Sequence, residues 1–284
     1  MAKKTKALES AGISTARLDC LVLLEDATGK DRSWLLAHPE HELESSKVKK
    51  LKEQVQRRAK HEPLAYIRGR SAFYGREFLV NEHTLQPRPE TETMIDHLKS
   101  LYKVEPCTEA KSSERKALSI VDVGTGSGCI GITAKLELPD AEVYATDISE
   151  ECLKIARKNA RKLKANVEFH KANLLLSQKN NSHFLNDRSK SENIVLLANL
   201  PYVPEGFTIN QAAMFEPDVA IFGGKDGLDY YRELFAQIET LKTKPHFIFT
   251  ESLPTQHKDL TAIAEKHGFR LHECQDFIQV FIRR

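Results

Sequence analysis

The sequence predicts an α/β fold, in which an open parallel sheet flanked by helices follows a small all-α domain and a β-hairpin linker. Three observations predict it. From Leu118 onward, short apolar runs alternate with helical patterns. Up to about Gly69 only helical periodicity is present, and between these regions a pair of short strand signals flanks Gly75. The expected boundaries are 1–72 for the helical domain, 73–92 for the linker and 93–284 for the sheet domain. A chain of 284 residues, 40% hydrophobic and 29% charged, is long enough for one full core and a smaller second one.

The helical front end begins with Ala16, Leu18, Leu21, Val22 and Leu24 at helical spacing, and Gly29 is placed to end that helix. A shorter helix near Ser33 offers Trp34, Leu35 and Leu36 as apolar contacts. Lys47 to Lys60 forms a third, with Val48, Leu51 and Val55 embedded in basic and polar residues. Those basic residues suit a solvated face better than an RNA-binding one. In the linker, Phe73, Tyr74, Phe78, Leu79 and Val80 surround Gly75. The segment Pro87-Arg88-Pro89-Glu90-Thr91-Glu92 then approaches in extended form and places carboxylates at the start of a helix through Met94, Ile95 and Leu98.

Strands are expected at Leu118 to Val123, Val143 to Thr146, Val167 to His170, Ile194 to Ala198, Pro245 to Thr250 and Phe277 to Ile282. Helices follow Cys129 and run through Leu153 and Ile155. This alternation implies a Rossmann-like parallel sheet covered on both faces. Two polar stretches, Lys103 to Lys116 and Ser177 to Glu192, interrupt it, and the second is expected to be an exposed insertion without a core.

At the end of the first of these strands stands Asp122-Val123-Gly124-Thr125-Gly126-Ser127-Gly128. Glycines there allow a sharp turn and close backbone approach to a ligand. The dinucleotide fingerprint needs its third glycine where Cys129 stands, so the D-x-G-x-G-x-G spacing argues against a pyrophosphate ligand. It suits S-adenosylmethionine, whose cationic amine and sulfonium favour carbonyls and a carboxylate such as Asp122. Its ribose diol requires an acidic acceptor, and Asp147, followed by Ile148, ends the next strand about twenty residues past the glycines. Asn173, after the strand that follows, is placed either to reach an adenine amine or to form a turn.

Asn199-Leu200-Pro201-Tyr202 follows the apolar run Ile194 to Ala198, at the strand edge where ligands collect in open sheets. The Asn199 side-chain oxygen and the Leu200 carbonyl can accept both N–H bonds of a planar NH₂ group, while Pro201 keeps Leu200 extended and Tyr202 offers a flat face. Such a group belongs equally to a carboxamide or to an adenine.

Bulk properties narrow the partners. Lys and Arg number 42 against 40 acidic residues, a net charge of +2 that lacks the excess typical of non-specific nucleic-acid binding. Cys20, Cys107, Cys129, Cys152 and Cys274 are scattered, with no C-x-x-C pair and no metal-ligand spacing, so no metal site is expected. No apolar run has the length of a membrane span, and the N-terminus lacks a signal-peptide core, so a soluble, cytoplasmic protein is expected; nothing in the sequence demands more than a monomer.

Over nearly its whole length the chain resembles the HemK/PrmC family. The resemblance rests on the helical front end, Ala65-Tyr66-Ile67-Arg68-Gly69, Phe73-Tyr74-Gly75, Pro87 to Glu92, the glycine turn, Phe215-Glu216-Pro217 and Gly223-Gly224-Lys225-Asp226-Gly227-Leu228. It implies a class I methyltransferase domain and methylation by S-adenosylmethionine of the glutamine amide in the Gly-Gly-Gln motif of class I peptide chain release factors. It also implies cofactor contacts at Gly124 to Gly128, Asp147, Asn173 and Leu174, and a glutamine site at Asn199 to Tyr202. The helical domain would dock the release factor, with no direct nucleic-acid binding. Leu200 replaces the first proline of the usual Asn-Pro-Pro-Tyr, and Asn-Leu-Pro-Tyr also occurs in rRNA adenine dimethyltransferases. An N6-adenine methyltransferase acting on RNA is therefore the alternative, and a binding protein without activity is a third, opposed by the intact Asn199, Pro201, Tyr202 and Asp147.

Overall fold

The computed structural model describes residues 2–102, 118–177, 185 and 193–284. The chain divides into two compact units: residues 1–70 with 209–215, and residues 71–208 with 216–284.

Among the described residues the first unit holds five α-helices, α1 (Ala2–Ser10), α2 (Ala16–Thr28), α3 (Arg32–Ala37), α4 (Ser45–Arg58) and α5 (Leu64–Arg68). Gly29 ends α2 in the left-handed conformation, φ 71°, as its position predicts. Leu8, Ile13, Cys20, Leu23, Leu51, Val55 and Ile67 form the small core. Three expected contacts lie outside it and are exposed: Leu18, Leu36 and Val48, at 45%, 51% and 42%. A helix of only six residues buries no complete face, and α3 contains no buried residue at all. Part of the basic character of α4 is internally paired, since Arg58 meets Asp19 at 2.6 Å and Arg57 pairs with Glu62.

The second unit opens with a hairpin of β1 (Arg70–Phe73) and β2 (Arg76–Leu79). Its two-residue turn, Tyr74 and Gly75, has φ of 49° and 69°, the positive values that a primed hairpin turn requires. The Tyr74 N–H donates to Glu92 Oε1 at 2.7 Å, tying the turn to the start of α6 (Glu92–Tyr102). The main sheet contains β3 (Leu118–Val123), β4 (Glu142–Asp147), β5 (Glu168–Asn173), β6 (Leu176–Ser177), β7 (Asn193–Ala198), β8 (Phe247–Glu251), β9 (Phe269–Gln275) and β10 (Ile278–Arg283). Their order is β6-β5-β4-β3-β7-β8-β10-β9.

The sheet is mixed, which corrects the all-parallel expectation. The central β5, β4, β3, β7 and β8 are parallel, but β10, β9 and β6 run antiparallel to their neighbours. A short loop returns β9 directly to β10, and such a return enforces antiparallel pairing. Along β7, Ile194, Leu196 and Ala198 enter one face while Val195 and Leu197 enter the other. Helices α9 (Asp229–Glu239) and α10 (His257–Lys266) cover the first face; α6 and α7 (Cys129–Glu137) cover the second. Helix α8 (Glu150–Leu163) follows β4.

The expectation of a coreless insertion fails at Leu185, which is buried among Leu174, Leu175 and Tyr231. Apart from Ser177 in β6 and this residue, that segment lies outside the described residues, as does Lys103 to Lys116. Among the described residues no helix is long and apolar enough to cross a membrane.

Candidate active site

Chain order reverses between β3 and β7, so the connections leaving the carboxyl ends of these two paired strands run to opposite sides and leave a crevice. A cavity of about 390 Å³ occupies it, well within the usual size of a small-molecule site.

The glycine turn forms its floor. The N–H groups of Gly124 and Thr125 both donate to Thr146 O, at 2.9 and 2.8 Å, fastening the turn to the end of β4. Asp122 lies behind the turn rather than in the cavity: it is fully buried and its Oδ2 accepts from Thr125 Oγ1 at 2.5 Å and Gly131 N at 2.8 Å. Burial pushes its carboxyl up to about 6 against the pull of these two donors, and its Oδ1 has no partner among the described residues. Gly128 also faces away, since an added Cβ would lie 2.8 Å from Ile132 Cδ1 and 3.1 Å from Ala156 Cβ on α8. Asp122 and Gly128 thus shape the turn, while Gly124, Thr125, Gly126 and Ser127 line the cavity.

Asp147 and Ile148 form the adjoining wall. Asp147 Oδ2 accepts from Gly126 N at 2.9 Å and Oδ1 from Ser149 N at 2.8 Å. Burial raises this carboxyl above the ordinary aspartate value, opposed by those same N–H groups. Asn173 and Leu174 line the cavity as well, although Asn173 already donates its amide to Glu233 Oε1 at 2.7 Å.

From β7 come Asn199, Leu200 and Pro201. Asn199 Nδ2 donates to Thr91 Oγ1 at 3.2 Å. The Leu200 side chain is buried in the core, and its N–H donates to Tyr231 Oη at 3.4 Å. Tyr202 does not line the cavity; its hydroxyl turns inward and donates to Glu251 Oε1 at 3.0 Å. Glu251 ends β8 and is 1% exposed. Burial raises its carboxyl, a shift that Thr91, Tyr202 and Asn199 oppose and Glu90 reinforces.

Several site residues carried no recognisable chemistry in the sequence. The chain after the hairpin supplies Glu82, His83, Leu85, Gln86, Pro87 and Arg88 to the cavity wall. Arg88 pairs at 2.6 Å with the buried Glu216, which joins the Pro87-Arg88-Pro89 and Phe215-Glu216-Pro217 motifs. Asn159 of α8 is fully buried; it accepts from Leu79 N at 2.7 Å and donates to Leu79 O and Ser127 O, stitching the hairpin to the glycine turn. Gly227 is needed for contact, because an added Cβ would lie 2.1 Å from Tyr202 O.

A parallel core, a glycine turn leaving β3 and an acid closing β4 define a class I methyltransferase. A methyltransferase domain matches residues 114–187, and the hMettl16 catalytic domain, solved with a MAT2A 3'UTR hairpin, shares this fold at a TM-score of 0.50. That structure is 14% identical, over 72% of this chain and 74% of its own. The PrmC N-terminal domain matches residues 2–69. The release factor glutamine methyltransferase of Koribacter versatilis is 38% identical over 247 residues, 86% of this chain and 81% of that protein. Its counterpart in Bacillus subtilis is 37% identical over 233 residues, 81% of this chain and 76% of that one. The chain belongs to the release factor glutamine methyltransferase family. It is also 31% identical to a bifunctional methyltransferase of Rickettsia bellii, of which it spans 51%.

Proposed function

We propose that this chain transfers a methyl group from S-adenosylmethionine to the side-chain amide nitrogen of the glutamine in the Gly-Gly-Gln motif of class I peptide chain release factors. The observation that carries the reading is that Asn199, Leu200 and Pro201 open into the same cavity as the glycine turn and Asp147. Gly124, Thr125, Gly126, Ser127, Asp147, Ile148, Asn173 and Leu174 are the residues to hold the cofactor, with Asp122 and Gly128 acting through the shape of the turn. The fit is chemical as well as spatial. Asp147 places on the cavity wall the carboxylate that a diol needs as acceptor, and a Cβ on Gly124 would lie 3.0 Å from Leu200 Cδ2, crowding the passage between the two halves of the site.

The cofactor supplies an electrophilic methyl on a sulfonium. A carboxamide nitrogen is a weak nucleophile because its lone pair is delocalised into the carbonyl. Asn199 Oδ1 and the Leu200 carbonyl accept its two N–H bonds, fix its plane, and stabilise the positive charge that grows as the new bond forms. Pro201 restrains Leu200 to extended backbone, so its carbonyl keeps that direction. No strong base is required, because the nitrogen becomes acidic once methylated and its surplus proton can leave to water. In this reading the helical domain, which matches the PrmC N-terminal domain at residues 2–69, docks the release factor.

Purified protein incubated with cofactor and a release factor should add one methyl to the loop glutamine, read by peptide mass spectrometry. Label entering RNA with none in the protein would replace this reading with the adenine one. Asn199→Ala should lose turnover while cofactor affinity stays near normal.

A further inference from the structure

The proposed chemistry needs an acceptor at Asn199, yet a carboxamide has two nearly isosteric ends and only the oxygen accepts. With Nδ2 turned to the cavity, the side chain would meet the substrate's N–H bonds donor to donor. The groups that decide the orientation lie outside the Asn199 to Tyr202 segment. Thr91, 2% exposed just before α6, accepts from Asn199 Nδ2 at 3.2 Å. A hydroxyl that accepts there still has one proton to place. Glu251 is the adjoining acceptor: Tyr202 occupies its Oε1, while its Oε2 is buried without a hydrogen-bond partner among the described residues. Burial raises the Glu251 carboxyl, and the Thr91 hydroxyl, Tyr202 and the Asn199 amide all lie near enough to oppose that rise.

An ionised carboxylate accepts only, and that gives the chain a direction. Glu251 draws the Thr91 proton, Thr91 then has only lone pairs to offer Asn199, and Asn199 must answer with Nδ2. Its Oδ1 is left for the cavity. We propose that Glu251 and Thr91 are positioning residues that set the Asn199 amide in the one orientation able to receive a substrate NH₂. The inference rests on the amide-methylation reading above. It also accounts for a carboxylate only 1% exposed behind the cavity wall, an arrangement expensive to keep without a purpose.

The test compares Thr91→Val, which keeps shape and loses the hydroxyl, with Thr91→Ser, which keeps the hydroxyl, and adds Glu251→Gln, whose amide would donate to Thr91 and reverse the chain. On the full-length protein, kcat on a release factor should fall roughly 10- to 100-fold in Thr91→Val and Glu251→Gln. Thr91→Ser should stay within about threefold of the parent, and cofactor Kd within about threefold in all variants. Thermal unfolding checks that each is folded. The side-chain Nδ2H₂ signals of Asn199 in ¹⁵N spectra, assigned by their loss in Asn199→Asp, give a readout independent of turnover. They should persist in Thr91→Ser and shift in Thr91→Val and Glu251→Gln. Equal kcat for Thr91→Val and Thr91→Ser, or unmoved Asn199 signals in Glu251→Gln, would overturn the inference. Parent protein that methylates no glutamine while the signals still respond would sink the proposed function and leave the positioning chain standing.

Discussion

Asp147 Oδ2 accepts the Gly126 N–H at 2.9 Å, so the acid closing β4 and the glycine turn leaving β3 form one continuous ligand surface. Asp147→Asn puts that geometry at risk, because its Nδ2 can face Gly126 or Ser149 only donor to donor. Cofactor affinity should fall by roughly 10- to 100-fold, the cost of one unmet buried donor. Calorimetric titration measures it. Because burial raises the Asp147 carboxyl, affinity in the parent should also decline on acidification at a higher pH than an ordinary aspartate would give.

Two neighbouring glycines should separate ligand contact from packing. Gly128→Ala meets Ile132 at 2.8 Å with φ of 84°, whereas Gly126→Ala meets nothing within 4 Å at φ of 54°. Urea unfolding should show a loss of about 2–4 kcal/mol for Gly128→Ala and about 1–2 kcal/mol for Gly126→Ala. The cofactor should nevertheless bind more weakly to folded Gly126→Ala, because Gly126 lines the cavity and Gly128 does not. Equal unfolding losses would contradict this division.

Asp122 should leave a signature in the pH dependence of stability. Its folded value of about 6 lies above the unfolded value near 3.8. The folded protein therefore holds this proton more tightly, and the associated stability is complete below about pH 4 and lost as pH rises through about 6. In Asp122→Asn, Oδ1 can still receive both Thr125 and Gly131, and the decline across that window should flatten. Chemical denaturation at a series of pH values reads the difference.

Leu200 stands where the family commonly has proline, and the structure gives it work that proline cannot do. Its side chain is 3% exposed among Leu174, Leu228 and Tyr231, and its N–H reaches Tyr231 Oη. Leu200→Pro should cost about 2–4 kcal/mol through lost volume and a lost donor. A rise in melting temperature would show instead that backbone restraint at this position outweighs packing.

Legibility followed the physical origin of each feature. Strands β3, β4 and β7 were evident because buried parallel strands are continuous apolar runs, and the turn because positive φ selects glycine. Strand β9 was not, since its Arg270, His272, Glu273 and Gln275 face solvent and leave no alternation to detect. The glycine turn and Asn199 could be read as local patterns. The roles of Glu251, Asn159 and Glu216 could not, even though Phe215-Glu216-Pro217 stands out as a motif: each acts on a partner distant in sequence, 128 positions in the pairing of Glu216 with Arg88. Tyr202 shows the opposite limit, because an aromatic in a recognisable motif gave no sign that its hydroxyl turns toward β8.

The exposed β9 has a consequence of its own. Among the described residues it pairs with β10 alone, and a register shift between Val280 and Phe281 breaks the regularity of that pairing. Its outer row would be an open template for a foreign strand, but charged side chains and a local bulge make it a poor one. A methyltransferase that must meet another protein face to face thereby carries, at the far margin of its sheet, a built-in deterrent to meeting one edge to edge.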